Sequence, residues 1–375
     1  MLTRLFIFLT LVLLFNASSF GQVRETKTFR DFPKEVTLEH SKVKINEALT
    51  PSTIHLLDNV VILVDQKSDP AIHFYNINDW SLMSSYGKKG DGPAEVKIPK
   101  FHGQFEQENN KTYLWFSDFR STKLLKLGLK DMIENIDTEP VISYKMPYEV
   151  GMLYDDIYAL SDTEFFGTVE GNVVDFTGEN SGRFFIADIK KKSLNWIPNF
   201  PTQSLKTPPE KVGYLYSSNT ILNKHTHQIA SAMKYYDRID IIDLKKNSVL
   251  TIVQEDKTEL TEVDLNDKKH LIPLKTRSFY GGGYSSENYM YFWYLDTTVQ
   301  QGVDFYNVKT SDYPNRTLHI FNWAGEPILK VQLDKHNLGS FFVDENSWML
   351  YAIDHDPVNE DEVIVSYQLP NLNKK

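Results

Sequence analysis

Cysteine is absent from the 375 residues. That excludes disulfides, thiolate metal sites, thiol nucleophiles and the acylated cysteine of a bacterial lipoprotein. A Gly-x-Ser-x-Gly elbow and a His-Glu-x-x-His pair are also missing, so the short signatures of serine hydrolases and zinc proteases do not apply. No long apolar stripe with a 3.6-residue period occurs, which argues against an α/β domain. Positive charge is scarce: 40 Lys and Arg face 50 Asp and Glu, for a formal charge of −10. So acidic a chain is a poor partner for nucleic acid or an anionic membrane surface, and neither is expected.

The one long apolar run stands at the start. Arg4 precedes Leu5 to Phe15, and Ser19-Phe20-Gly21 supplies small residues ahead of Gln22. This reads as a leader spanning residues 1–21, cleaved near Gly21-Gln22 and too short to cross a bilayer. The expected product is periplasmic or extracellular, without membrane insertion, and a monomer. With no disulfides its stability must come from a core, for which roughly 350 residues suffice.

What is abundant is strand-forming sequence in repeated units. Val60 to Asp65, Ile72 to Asn76 and Leu82 to Tyr86 form one unit. Thr112 to Asp118 with Lys123 to Leu127, and Trp348 to Asp354 with Glu362 to Tyr367, repeat its shape. In each, an apolar strand ends on Asp and a second strand follows a polar turn. Asp65, Asp118 and Asp354 are expected to accept backbone N–H groups in those turns. Weaker copies fill the middle, giving six units that start near residues 52, 100, 153, 214, 279 and 338. Their spacing of about 40 to 65 residues is that of propeller blades with inserted loops. The fold class is therefore all-β: a six-bladed β-propeller.

The last blade lacks a strand. Glu35 to Glu39 or Lys42 to Ile45 is expected to complete it from the N-terminal side and close the ring. The domain plan is a leader over 1–21, an extension over 22–35 and one propeller over 36–370. Two insertions, Leu260–Arg277 and Thr297–Asn315, lie outside the strands. A seventh sheet hidden near residues 130–150 stays open.

Candidate functional residues are few. Tyr214, Tyr216, Tyr280, Tyr284, Tyr289 and Tyr291 fall on or beside inner strands, with Gly281-Gly282-Gly283 leaving room between them. Aromatic walls with polar tips suit sugars or peptides, and more readily suit ordinary packing between blades. His225-Thr226-His227 puts two imidazoles on one face if extended, two of the three ligands that zinc requires. Asp155-Asp156 and the acidic group from Asp354 to Glu362 have charge for Ca2+ but not the spacing of an EF-hand loop. In Gly87-x-x-Gly90-x-Gly92-Pro93, no Lys-Ser/Thr pair follows and no helix opens, so a phosphate loop is not expected. Glu95 beside it reads as an anchor or as a channel-facing ligand.

The exported start, Val64-Asp65 followed by Ile72-His-Phe-Tyr75, and Tyr86-Gly-Lys-Lys-Gly-Asp-Gly-Pro-Ala-Glu95 together resemble the TolB-like six-bladed propellers of Gram-negative bacteria. The Gly-x-x-Gly-x-Gly-Pro-x-Glu junction of that family is matched throughout residues 87–95, and the likeness extends over 36–368. More distantly the repeat resembles NHL units, which serve both as interaction platforms and as lyases. The expected function is a non-catalytic module binding a protein, peptide or glycan on one propeller face, with no cofactor. The alternative is a lactonase- or lyase-like enzyme holding a metal, Ca2+, in its axial channel. That would need three or four Asp, Glu, Asn or His side chains converging there.

Overall fold

Runs of β-branched and aromatic residues become strands in the computed structural model. It describes residues 23–45, 47, 49–134, 140–146, 154–169, 182–197, 199–200, 209–255, 269–307, 316–356 and 362–373. The expected leader over 1–21 lies outside them, as do 256–268 of one insertion and 308–315 of the other.

Three strands come first: β1 (Val23–Phe29), β2 (Glu35–Leu38) and β3 (Ser41–Val43). Strands β4–β7 (Thr53–Leu57, Val60–Val64, Ile72–Asn76, Leu82–Tyr86) make the first blade. The second is β8–β11 (Pro99–Glu108, Lys111–Asp118, Lys123–Gly128, Ile142–Lys145), with helix α1 (Leu129–Ile133) before its last strand. The third is β12–β15 (Tyr154–Ala159, Glu164–Val169, Phe184–Asp188, Ser193–Ile197), followed by α2 (Pro209–Leu215). The fourth is β16–β19 (Ser218–Asn223, Gln228–Met233, Arg238–Asp243, Ser248–Gln254). The fifth is β20–β23 (Arg277–Ser285, Tyr289–Thr298, Thr317–Asn322, Pro327–Leu333), with α3 (Val299–Tyr306) between its second and third strands. The sixth has β24–β26 (Leu338–Asp344, Met349–Asp354, Ile364–Gln368).

Each blade is an antiparallel meander starting from its innermost strand. Inner strands β4, β8, β12, β16, β20 and β24 touch in sequence, and β24 returns to β4. The molecule is a closed ring of six blades, and the described part of residues 130–150 supplies α1 and β11 rather than a seventh sheet.

Closure uses the second of the two expected strands. β3 pairs antiparallel with β26, Val43 opposite Ile364 and Ser41 opposite Ser366. The first candidate, β2, runs parallel to β23 on the fifth blade. Val23–Phe29, expected to be an extension, runs parallel to β19 on the fourth. Its hydropathy gave no hint because Val23 to Thr26 are exposed and only Phe29 is buried. Pairing with an otherwise open strand edge holds it.

Apolar cores lie between successive blades. Phe74 and Leu125 meet at the first seam, and Trp115 and Phe165 at the second. At the closing seam Val43, Ile45 and Leu49 pack with Val61, Tyr75 and Ile364. The repeated aspartates do more than close a turn. Asp65 accepts from Lys67 N at 2.8 Å and also from Thr50 N at 2.9 Å, just ahead of β4. Asp118 accepts from Arg120 N at 3.1 Å and from Lys97 N at 2.6 Å, just ahead of β8. Asp354 accepts from Asp356 N at 3.0 Å and pairs with Lys335 Nζ at 2.8 Å, just ahead of β24. Each pins the turn after the second strand to the chain entering the same blade, and so fixes how the inner strand starts.

The two ends of the N-terminal arm should differ in what they tolerate. Val43→Asp puts a charge into the closing core and should cost about 3 kcal/mol in urea denaturation. Val23→Asp, on an exposed strand residue, should cost less than about 0.5 kcal/mol.

Candidate functional site

The inner strands are where backbone regularity fails. On β8, Phe101 pairs with Phe116 and Phe105 with Leu114, so His102-Gly103-Gln104 face Trp115 alone. On β12, Asp155-Asp156 face only Thr168. On β20, Gly281-Gly282 face Trp293, and on β24, Gly339-Ser340 face Ile353. Such bulges bend a strand and re-aim its side chains, and here they gather around the axis. Gly103 is required on two counts: its φ is +72°, and a Cβ would fall 2.8 Å from His55 Nδ1. The bulged strands enclose a cavity of about 510 Å³, reached by residues of all six blades.

Asp156 is its electrostatic centre. The bulge presents its carboxylate to Lys100 Nζ at 3.1 Å and His102 Nδ1 at 3.2 Å. Thr220 on the next blade donates its hydroxyl at 2.6 Å and its N–H at 3.1 Å to the other oxygen. Burial pushes this carboxyl up, but Lys100, His102 and Thr220 outweigh burial and hold it well below the ordinary carboxylate range. His55, opposite, is pushed down to about 3 by burial and then by neighbouring His102, so it is neutral at physiological pH.

One arrangement here imitates a catalytic triad. Ser117 Oγ lies 3.4 Å from His102 Nε2, whose other nitrogen meets Asp156. Ser117, however, is 2% exposed, on the second strand behind His102 and off the cavity wall. A nucleophile must reach its substrate, so the chain Ser117–His102–Asp156 orients the imidazole and attacks nothing.

The residues singled out from the sequence disperse. Tyr284 lines the cavity. Tyr280 is buried in the wall, edge-on to Tyr294 at 5.3 Å. Tyr216 stacks on Tyr236 at 5.4 Å away from the cavity, and half-buried Tyr214 sits on α2. Tyr291 donates to Glu345 at 2.6 Å, and Tyr289 packs on Trp348. His225 and His227 are not extended on one face. They occupy the turn after β16, which Asn223 Oδ1 closes by accepting from His225 N at 3.0 Å, with His227 at φ +60°. Asp155 lies on β12, but its side chain is outside the described residues. The Glu95 carboxylate folds back onto Gly92 N at 2.8 Å and lies off the cavity.

Among the described residues one acidic trio has metal-like spacing, Glu106, Glu108 and Asp162. It surrounds Lys126 Nζ at 2.8, 2.5 and 2.9 Å, so an ammonium already stands where a cation would bind, outside the channel. Within the cavity the described acidic side chains are Asp156 and Glu287.

Lys100, His102 and Gln104 escaped the sequence reading. Their signal was there: polar residues at every second position of Lys100-Phe-His-Gly-Gln-Phe105, with apolar ones between. Thr220 and Lys224 carried no comparable mark.

Two substitutions test this geometry. A Cβ at Gly90 would lie 1.8 Å from Glu95 Oε2, so Gly90→Ala should cost about 1–2 kcal/mol in urea denaturation. In a Glu95→Ala background most of that cost should vanish. Asp156, with its folded pKa depressed, contributes stability above pH ~4 that is lost as pH falls through the folded value. Asp156→Asn should therefore be less stable at pH 7 by about 3 kcal/mol and lose less on acidification from pH ~5 to ~3.

Comparison with known proteins follows the fold. No curated protein matches the chain in sequence. A protein of Bacteroides fragilis described as exported superposes with TM-score 0.56 at 12% identity, over 92% of this chain and 98% of its own. A DUF4221-family member from Bacteroides vulgatus gives 0.57 at 11%, over 88% and 97%. Virginiamycin B lyase of Staphylococcus aureus gives 0.46 at 11%, over 89% and 100%, a likeness too loose to bear on chemistry. The model of the TolB-like 6-blade propeller-like family matches residues 28–346, and the chain belongs to that family.

Proposed function

We propose that the protein is an exported, non-catalytic binding module that takes the polar end of a glycan or peptide into its axial cavity. The observation that carries this reading is the bulged, glycine-lined inner wall around a polar cavity of about 510 Å³, within the range of small-ligand sites. Gly281 and Gly282 leave the fifth blade's wall without side chains. Tyr284 supplies an aromatic surface, and Lys100 and Asp156 supply fixed charges. The reading needs no cofactor. Export rests on the leader expected from the sequence, and the Bacteroides fragilis protein of like fold is described as exported.

Among the described residues, two features of the cavity weigh against the enzyme alternative. Its best-placed carboxylate is committed to Lys100, His102 and Thr220, and its one triad-like serine is out of reach.

A blocking variant tests the proposal. At Gly282 the nearest atom to a new Cβ is Trp293 Cδ1 at 3.7 Å, so a larger side chain has room to enter the cavity. A panel of oligosaccharides and short peptides should contain a binder that raises Tm by about 5 °C at a hundred-fold excess over Kd. Gly282→Trp, with an unchanged circular dichroism spectrum, should abolish that shift. The same shift in Gly282→Trp would place binding elsewhere and refute the axial site.

A further inference from the structure

Lys224 crosses the mouth of the axial cavity. Its backbone is in the turn between β16 and β17 on the fourth blade, held by Asn223, whose Nδ2 donates to Glu287 O at 3.2 Å. Its Nζ lies 3.2 Å from the centroid of the Phe105 ring, on the second blade. The third blade stands between these two in the ring, so the side chain spans the opening on the face of the tight turns. The residue as a whole is exposed, with its ammonium resting on the Phe105 ring.

Lys224 makes no hydrogen bond or ion pair with any described residue. Asp58 on the first blade and Glu287 on the fifth attract it without pairing, and His225 lines the same mouth. By contrast, Lys100 inside the cavity is matched by Asp156, and Lys126 outside it by three carboxylates. A lysine normally keeps its charge in water and only its stem on apolar surface. Here a ring face is the one partner among the described residues of a partly desolvated cation, an interaction weaker than a charge-assisted hydrogen bond.

We propose that Lys224 is the recognition cation of the axial site: an oxyanion group on the ligand, a carboxylate or a phosphate, enters from the tight-turn face, draws Nζ off Phe105 and pairs with it. This rests on the axial cavity being the binding site and adds the chemistry of what binds there. A neutral ligand entering the same way would cover the cation without answering its charge, which is the costlier outcome. The state of the amine agrees with an unanswered charge. Burial lowers Lys224 to about 8, and Asp58 and Glu287 offset this only in part. Because the charged form is the one that pairs, affinity for an anion should fall as pH rises through 8.

The test is nuclear magnetic resonance of the full chain carrying [ε-13C]lysine, with the Lys224 signal assigned by its loss in Lys224→Gln. Sodium acetate and inorganic phosphate are titrated against sodium chloride at equal ionic strength. The Lys224 signal should move saturably with acetate or phosphate, and its titration midpoint should rise by about one unit. The other lysines should follow ionic strength alone. A response to acetate assigns a carboxylate, and a stronger one to phosphate assigns a phosphate. In a 15N-labelled sample the same anion should also move the Gly281–Gly283 amides; Lys224→Arg should retain that response, and Lys224→Gln should weaken its apparent affinity about ten-fold. A Lys224 signal that titrates like an ordinary lysine and tracks only ionic strength overturns the proposal. If the Gly281–Gly283 amides move with either anion while Lys224 does not, the axial site stands and the role of Lys224 falls. If binding in the oligosaccharide and peptide panel survives Gly282→Trp, the axial reading itself falls.

Discussion

Each inner strand of this ring has a ladder partner on one side only. Its other edge faces the axis and the inner strands of neighbouring blades, with which it forms no sheet. Backbone groups on that edge still need partners. The ring meets the need with side chains that reach across every seam. Gln104 donates to Ala159 O and accepts from Ala159 N, and Tyr158 donates to Thr220 O at 2.6 Å. Asn219 donates to Tyr280 O, Trp293 to Gly339 O at 2.7 Å, and Ile54 N donates to Ser340 Oγ at 3.1 Å. At the remaining seam His55 hydrogen-bonds the Phe101 backbone and packs edge-on against its ring at 5.0 Å. The polar residues lining the cavity are therefore, in large part, the fastenings of the ring. What is left for a ligand are the groups not so used, which is why Lys224 and the glycine wall matter more than the count of polar atoms suggests.

Closure is also where the chain's two ends share one blade. Without disulfides, the sixth blade is held to the first by the apolar contacts of Val43, Ile45 and Leu49 and by the Tyr75–Glu47 hydrogen bond at 2.8 Å. The arm leading there is laid along the outer edges of the fourth and fifth blades before reaching the sixth. His40 tethers it between β2 and β3, donating its N–H to Asp334 Oδ2 and meeting the same oxygen with its ring, while Tyr367 holds the other oxygen at 3.0 Å. Three blades thus carry a covered outer edge. A ring opened at this seam would lose the arm's contacts together with the core beneath it.

Much of the architecture was legible because blades are local. Val60 to Tyr86 forms a sheet with itself, so its strand pattern and turns suffice, and the expected starts near 52, 100, 153 and 338 fall beside β4, β8, β12 and β24. The junction at 87–95 was legible for the same reason: Gly87 at φ +83° and the Glu95 carboxylate over Gly90 are contacts within one loop. Non-local pairing was not. Val23–Phe29 has the composition of a solvated tail, and nothing in it indicates that β19 lies open 220-odd residues later. The site was hidden by the same limit. Asp155 and Asp156 look alike in sequence, and a bulge opposite Thr168 decides that Asp156 faces Lys100 and His102 from another blade. Aromatic residues near an inner strand serve the seams as readily as the axis: Tyr280 packs against Tyr294, whereas Tyr284 lines the cavity.

The cavity's two ends are built differently, and this gives the molecule a direction. Connections between blades, and the insertion carrying α3, leave from the end where the inner strands begin. There the Asp156 cluster and Arg316, which donates to Leu338 O at 3.0 Å, are buried in fixed bonds. At the other end the inner strands stop in short turns, Asp58-Asn59, Lys224 to His227 and Ser286 to Asn288, and Lys224 over the opening has a ring for a partner. A bonded network changes slowly and at a cost, because each member lost leaves another unsatisfied. A single lysine on an aromatic face can leave by turning about its own side-chain torsions. Of the two ends, the tight-turn mouth is therefore the one that can admit an anionic group without breaking the ties that keep the ring closed.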